Sequence, residues 1–183
     1  MNIMQAILIA ILEGLTEFLP ISSTGHMILL SAWMTIGQDD FTKYFEICIQ
    51  FGAILSVLVL YFKRFLNFKD FSFYIKLFVA IIPSLVLGFL LNDFIDANLE
   101  NPLFFFFIMI LGGVILLFVD TWFSKPTIHH EKDISNNVAI KIGLFQCLAI
   151  IFPGLSRSAA TIIGAMSQKV SKEAAAEFSF FLA

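Results

Sequence analysis

Glu13 and Glu17 stand four residues apart in an apolar stretch running from Ile3 to Leu19. That spacing puts both carboxylates on one face of a helix, with Gln5 and Ile9 continuing the row. Two like charges so close in a low dielectric cannot both stay ionised unaided. They call for a shared proton, a divalent cation or a nearby guanidinium. Pro20 then breaks the helix. Ser22, Ser23, Thr24 and Gly25 follow as a run of hydroxyls on flexible backbone, and His26 opens the next helix. Ser22 alone reads as an ordinary helix N-cap, and a lone buried histidine as a hydrogen-bonded core residue. An acid pair, a hydroxyl cluster and an imidazole within one short stretch point instead to a reactive or binding site.

A second stretch supplies the cation. The chain holds two arginines, and Arg157 stands in Pro153-Gly154-Leu155-Ser156-Arg157-Ser158 with no acid within ten residues. Its partner must come from elsewhere in the fold. A guanidinium binds phosphate or carboxylate through a planar fork. Ser156, Ser158 and Thr161 flank it with hydroxyls, and a helix starting there aims free N–H groups at the same point. Phosphate binding and a structural pairing with Glu13 or Glu17 are compatible readings. The other arginine, Arg64, lies in a basic loop and reads as a solvated topology determinant. Glu46 and Gln50 share a helix face, where a structural hydrogen bond is as good a reading as a functional one. Asp120 reads as interfacial, His129 and His130 as loop residues, and Lys169, Lys172 and Glu173 as a solvated turn.

These residues are rare polar points in a lipid-like chain. Of 183 residues, 59% are apolar and 14% charged, with 23 phenylalanines and a mean hydropathy of +0.91. Soluble domains are about 45–50% apolar and about 25% charged, so a water-soluble globule is excluded. A net charge of −3 gives no reason to expect a nucleic-acid partner. Cys48 and Cys147 both lie in apolar runs and read as small buried hydrophobes. Nothing basic precedes the first apolar stretch, so it is expected to belong to the mature protein and not to a secretory leader. Runs at about 45–62, 73–91 and 102–123 suit bilayer-spanning helices. The stretches 3–37 and 138–166 are each interrupted by a proline and small polar residues, as re-entrant hairpins would be.

Loop charges orient the spans. The Lys63–Lys76 and Ser124–Lys141 connections are basic and are expected on the cytoplasmic side, whereas Asn92–Asn101 carries Asp93, Asp96 and Glu100 with no base. Pro20 and Pro153 lie 133 residues apart, and the same offset sets Glu13 against Gln146 and Ser23 against Ser156. Three spans separate the two hairpins, and an odd number inverts the second copy. The expected fold is therefore an all-α polytopic membrane protein with an inverted-topology repeat, each unit a re-entrant helical hairpin plus three transmembrane helices. Broken helices then meet near the midplane. The first unit is 1–124. Residues 125–183 hold a cytoplasmic loop, the second hairpin and the start of a further span, so the second unit is expected to be truncated.

The run Glu13-Gly14-Leu15-Thr16-Glu17-Phe18-Leu19-Pro20-Ile21-Ser22-Ser23-Thr24-Gly25-His26 resembles the signature of the bacterial undecaprenyl-pyrophosphate phosphatase family, also called the bacitracin-resistance family. Pro153–Thr161 resembles that family's second motif, with Ala159 where the family usually has glycine. Phe45–Leu55 is similar to its first span. The resemblance implies a multi-pass protein of the bacterial inner membrane whose periplasm-facing site removes the terminal phosphate of an isoprenyl pyrophosphate. That reaction recycles the lipid carrier for cell-wall synthesis. It also implies a divalent cation, Mg²⁺ or Ca²⁺, with Glu13 and Glu17 as its ligands or as the base. The corresponding catalytic set is Glu13, Glu17, Ser23, His26 and Arg157. The phosphate-binding set is Ser22, Thr24, Gly25, Ser156, Arg157, Ser158 and Thr161. Ser23 is the candidate nucleophile with His26 as acid or base, while attack by water or by His26 stays open. A second copy of the chain is a candidate partner. Two other classes compete. Inverted repeats with broken helices are also transporter architecture, so a polyprenyl-phosphate flippase is the alternative. A lipid phosphatase with a histidine nucleophile would need a histidine after Arg157, and none follows.

Overall fold

The computed structural model describes residues 1–66, 71–92 and 102–182, and every regular element among them is helical. The first helix, α1 (Ile3–Thr16), starts with a capping box in which Asn2 and Gln5 satisfy each other's backbone N–H groups. Gln5 is thus occupied at the cap and does not extend the acidic row toward the site. The helix stops at Thr16, ahead of Pro20, whose ring disfavours helical backbone before it. Glu17 keeps helical dihedrals and donates its N–H to the Glu13 carbonyl, so the two acids do share a face. The return helix, α2 (Ser23–Trp33), starts three residues earlier than His26, which sits one turn inside it.

Three long helices follow the pattern of the apolar runs: α3 (Asp40–Leu60), α5 (Phe71–Leu90) and α6 (Pro102–Trp122), with a short α4 (Phe62–Phe65) between the first two. Each long helix has 20 or 21 residues, hence about 30 Å of length, the thickness of a bilayer core. All three are apolar enough to cross a membrane, and the chain is a multi-pass membrane protein. Large side chains such as Phe51, Val59, Phe89 and Leu117 point outward, where lipid replaces water as the surrounding medium. Cys48 belongs to that outward face and is exposed, contrary to its expected burial; Cys147 is buried.

The second hairpin is α7 (Asn136–Ile151) and α8 (Arg157–Ser167), and α9 (Lys172–Leu182) packs over it. Small residues let these helices approach closely, as they must where lipid offers no hydrophobic drive. A Cβ on Gly143 of α7 would lie 2.0 Å from the Ala80 carbonyl oxygen of α5, and one on Gly164 would lie 2.6 Å from Phe145 Cβ. Ala80, Ala139, Ile142, Ala165 and Phe178 are fully buried in this region. The first hairpin packs on α3 and on α6, and α6 also touches α8. So α6 bridges the two hairpins.

The connection before α7 is tied down more firmly than its basic composition implies. Arg64 donates to Glu131 and its guanidinium lies 4.3 Å from the centre of the Phe73 ring. It is a packed clamp and not a merely solvated loop residue. Lys76 lies within α5, buried, and donates to the Lys132 carbonyl at 2.6 Å. Lys172 and Asp120 form an exposed pair. Near the start of α3, the Thr42 hydroxyl and the Met1 ammonium hold the half-buried Asp39 carboxyl below its ordinary pKa. The acidic connection expected to face outward falls at 93–101, outside the described residues, as do Lys69 and Asp70.

Candidate active site

Both hairpin tips are built the same way. A serine caps each return helix: Ser22 Oγ accepts the Gly25 N–H at 3.3 Å, and Ser156 Oγ accepts the Ala159 N–H at 3.2 Å. Each cap leaves the remaining first-turn N–H groups of α2 and α8 at the tip. Ser22 reaches this position with φ 66° and ψ 81°, a left-handed backbone that strains a residue with a Cβ. Gly154 at the opposite tip has φ 103°, and a Cβ there would press on the Phe105 backbone at 3.1 Å. Glycine is therefore required at that turn.

Between the tips lies a cavity of about 600 Å³, within the usual size range of small-ligand sites. Glu17, Ser22, Ser23 and Thr24 line it from the first hairpin, and Ser156, Arg157 and Ser158 from the second. Residues from two ends of the chain thus meet in one space. Ser23 donates its hydroxyl hydrogen to Glu17 Oε2. The Glu17 carboxylate acts electrostatically on Arg157, which supplies the acidic partner missing from its own sequence neighbourhood. Glu13 is 1% exposed and lies beside Glu17 and Ser23. Neither of its carboxylate oxygens has a hydrogen-bond partner among the described residues. A buried carboxylate in that state is costly, and it fits a group that delivers positive charge between the two acids. Ser158 Oγ is likewise buried without a partner.

Three sequence candidates are placed differently. His26 does not line this cavity. Its Nδ1 is 2.8 Å from the Ser22 carbonyl oxygen, and the ring borders a second, more apolar cavity. With a carbonyl as partner, Nδ1 must be the donor. Thr161 is buried on α8, where its hydroxyl meets the Arg157 and Ser158 carbonyls and Ser179 Oγ at 2.7 Å. It braces α8 against α9 and does not face the cavity. Gly25 packs under α6, and a Cβ there would sit 2.5 Å from Met109 Sδ. Its small size serves helix contact, so its site role is indirect.

Other residues, outside the candidate catalytic and phosphate-binding sets, enter the cavity as well. Ser84 and Gln146 line it, joined by a Gln146 Nε2 to Ser84 Oγ hydrogen bond of 2.6 Å, and Gln50 lines it from α3. The 133-residue offset that sets Gln146 against Glu13 was the available signal for Gln146, and Ser84 follows a proline in the middle of a span. Glu46 takes the other reading offered by the sequence, a structural bond from Ser31. Among the described residues no three His, Cys, Asp or Glu side chains cluster as a metal site. A cation here would rest on Glu13 and Glu17 and draw its remaining oxygen ligands from water and substrate phosphate.

Residues 6–183 match the model of the family described as bacitracin resistance protein BacA. The chain is 59% identical over 184 residues to a Flavobacterium johnsoniae protein named undecaprenyl-diphosphatase, covering all of this chain and 68% of that protein. It is 49% identical to the undecaprenyl-diphosphatase of Porphyromonas gingivalis over 199 residues, with 100% and 70% covered. To the protein named undecaprenyl-diphosphatase 1 of Oenococcus oeni it is 42% identical over 194 residues, with 99% and 69% covered.

Proposed function

The chain belongs to the bacitracin resistance protein BacA family, and from that membership we propose that it is a membrane phosphatase converting undecaprenyl pyrophosphate to undecaprenyl phosphate and inorganic phosphate. Its relatives carry the name undecaprenyl-diphosphatase, and an isoprenyl pyrophosphate suits a polar cavity enclosed by lipid-facing helices. One observation carries the mechanism: the Ser23 hydroxyl donates to Glu17 in the cavity that Arg157 lines from the opposite hairpin. Nucleophile, base and anion clamp converge on one space.

The pyrophosphate lies between the hairpin tips. Arg157, Ser156, Ser158 and first-turn N–H groups hold its oxygens and stabilise the charge that develops on them. Ser23 Oγ attacks the terminal phosphorus while its proton passes to Glu17. The bond from that phosphorus to the bridging oxygen breaks, and undecaprenyl phosphate leaves. Glu17 passes its proton to the departing undecaprenyl phosphate. Water then attacks the phosphoserine phosphorus, and Glu17 takes the water's proton and returns it to Ser23 Oγ as the bond from phosphorus to that oxygen breaks and inorganic phosphate is released. Glu13 and Glu17 would hold a divalent cation, Mg²⁺ or Ca²⁺, which neutralises phosphate charge when bound. His26 acts on this reading through the Ser22 turn that it anchors.

The wider setting belongs to the same proposal. The chain sits in the bacterial inner membrane with the cavity open to the periplasm and the basic loops inside, and it recycles the lipid carrier for cell-wall synthesis. Its two hairpins are the corresponding parts of inverted repeats, the first over 1–124. This is supported by matched tips, each with a proline, a serine cap and a new helix, and by the three spans between them.

Phosphate release from undecaprenyl pyrophosphate by the purified protein is the test. Ser23→Ala, Glu17→Gln and Arg157→Ala are each expected to lower turnover by about 10²–10⁴. Unchanged rates in all three would sink the site. Lipid translocation across vesicles without phosphate release would identify a flippase instead.

A further inference from the structure

We propose that the second cavity, on the α6 side of the hairpin tips, seats the first isoprene units of the lipid substrate, and that Gly113 keeps it open. This rests on the phosphatase reading above. The cavity measures about 360 Å³ and is walled mainly by apolar groups, among them Leu29, Phe106, Met109 and Leu116. It shares Gly154, Leu155 and Ser156 with the phosphate cavity, so the two are neighbours across one turn of chain. Phe106 and Ile110 on its rim are exposed toward lipid. A pyrophosphate held at Arg157 must send its hydrocarbon chain somewhere, and this groove leads from the polar site to the membrane. Its volume matches roughly two or three isoprene units at liquid-hydrocarbon packing.

Two successive glycines shape the α6 wall. At Gly112 a Cβ would meet Leu155 Cδ1 at 3.0 Å, so this residue lets the second hairpin's tip approach. At Gly113 a Cβ would meet nothing within 4 Å. A glycine there is not demanded by packing, and it weakens the helix; what it provides is open space in the groove. Apolar contacts in the groove replace equivalent contacts with lipid, so they add little affinity. Their effect is positional: they fix where the terminal phosphorus stands relative to Ser23. Blocking the groove should therefore act mainly on kcat, and only for substrates with a chain to seat.

The experiment compares methyl, dimethylallyl, geranyl and farnesyl pyrophosphate with the wild-type protein, Gly113→Phe and Gly52→Phe. Gly52 is a matched lipid-facing glycine on α3 that also meets nothing within 4 Å. Gly113→Phe is expected to lower kcat for farnesyl pyrophosphate about tenfold and to leave methyl pyrophosphate unchanged, with Gly52→Phe like wild type throughout. A farnesyl pyrophosphate carrying a diazirine in its first units provides a readout independent of turnover, and it should crosslink to the α6 segment around Met109–Gly113. Equal loss for all four substrates, no loss for any, or crosslinks confined to other helices would overturn the groove assignment. Crosslinking to α6 without phosphate release from any substrate would uphold the groove and overturn the phosphatase.

Discussion

Ser23 and His26 lie one helical turn apart, yet the fold gives them different surroundings. Ser23 faces the polar cavity with its hydroxyl on Glu17, while His26 turns toward the apolar groove with Nδ1 on the Ser22 carbonyl. If the imidazole works by holding the strained Ser22 turn, an asparagine amide nitrogen can take over that donor role. His26→Asn is therefore expected to keep a larger share of phosphate release than His26→Ala, by about tenfold. Equal loss in both, with a shifted acid limb of the pH–rate profile, would restore histidine as acid or base. Glu13 carries a second residue-scale expectation. Its partnerless buried oxygens suit a cation, so Glu13→Gln should weaken Mn²⁺ binding, read from the ion's own paramagnetic resonance. A chelator should stop turnover in the parent protein. The acid pair, the hydroxyl run and Arg157 were all legible from residue type and spacing. Which way each side chain points was not, because periodicity ranks faces but does not say what lies opposite them. Gly25, Thr161 and His26 show this: each sits inside a motif, yet its contacts are with α6, α9 or the Ser22 turn.

Helices were legible to within a few residues because three long apolar runs and two proline breaks leave little freedom. Their packing was not. Nothing in the sequence marks Gly143 as the point where α7 rests on the α5 backbone, since the contact joins residues 63 positions apart. Gly143→Ala must push the helices apart or bend α5, at a cost of about 1–3 kcal/mol. The detergent-solubilised protein should melt at a lower temperature, whereas Gly52→Ala, with open space around it, should melt no lower than the parent. Gly154→Ala is expected to fail for another reason. Its φ of 103° and the Phe105 backbone at 3.1 Å both oppose a methyl group. Arg64 shows the opposite error at this scale. Loop composition described it correctly as basic, but the ring of Phe73 and the carboxylate of Glu131 that hold it come from distant segments.

As a whole the molecule is a scaffold of lipid-facing spans around two short helical hairpins whose tips meet. Orientation rests on the basic connections before the second span and after the third. Single cysteines placed at Lys63 and Lys125, with Cys48 and Cys147 replaced, should both be shielded from a membrane-impermeant thiol reagent added to intact cells. Labelling of either from outside would invert the assignment.

Glu17 and Arg157 belong to opposite hairpins, and this sets an order of events as the chain is made. The acidic hairpin enters the membrane well before the arginine has been synthesised, about ten seconds at ordinary rates of translation. For that interval Glu13 and Glu17 sit in an apolar setting with no guanidinium beside them. The arginine that the proposed mechanism sets on the phosphate is therefore also what the late-arriving hairpin brings to the acids of the early one. Substituting Arg157 should slow the settling of the first hairpin as well as the chemistry.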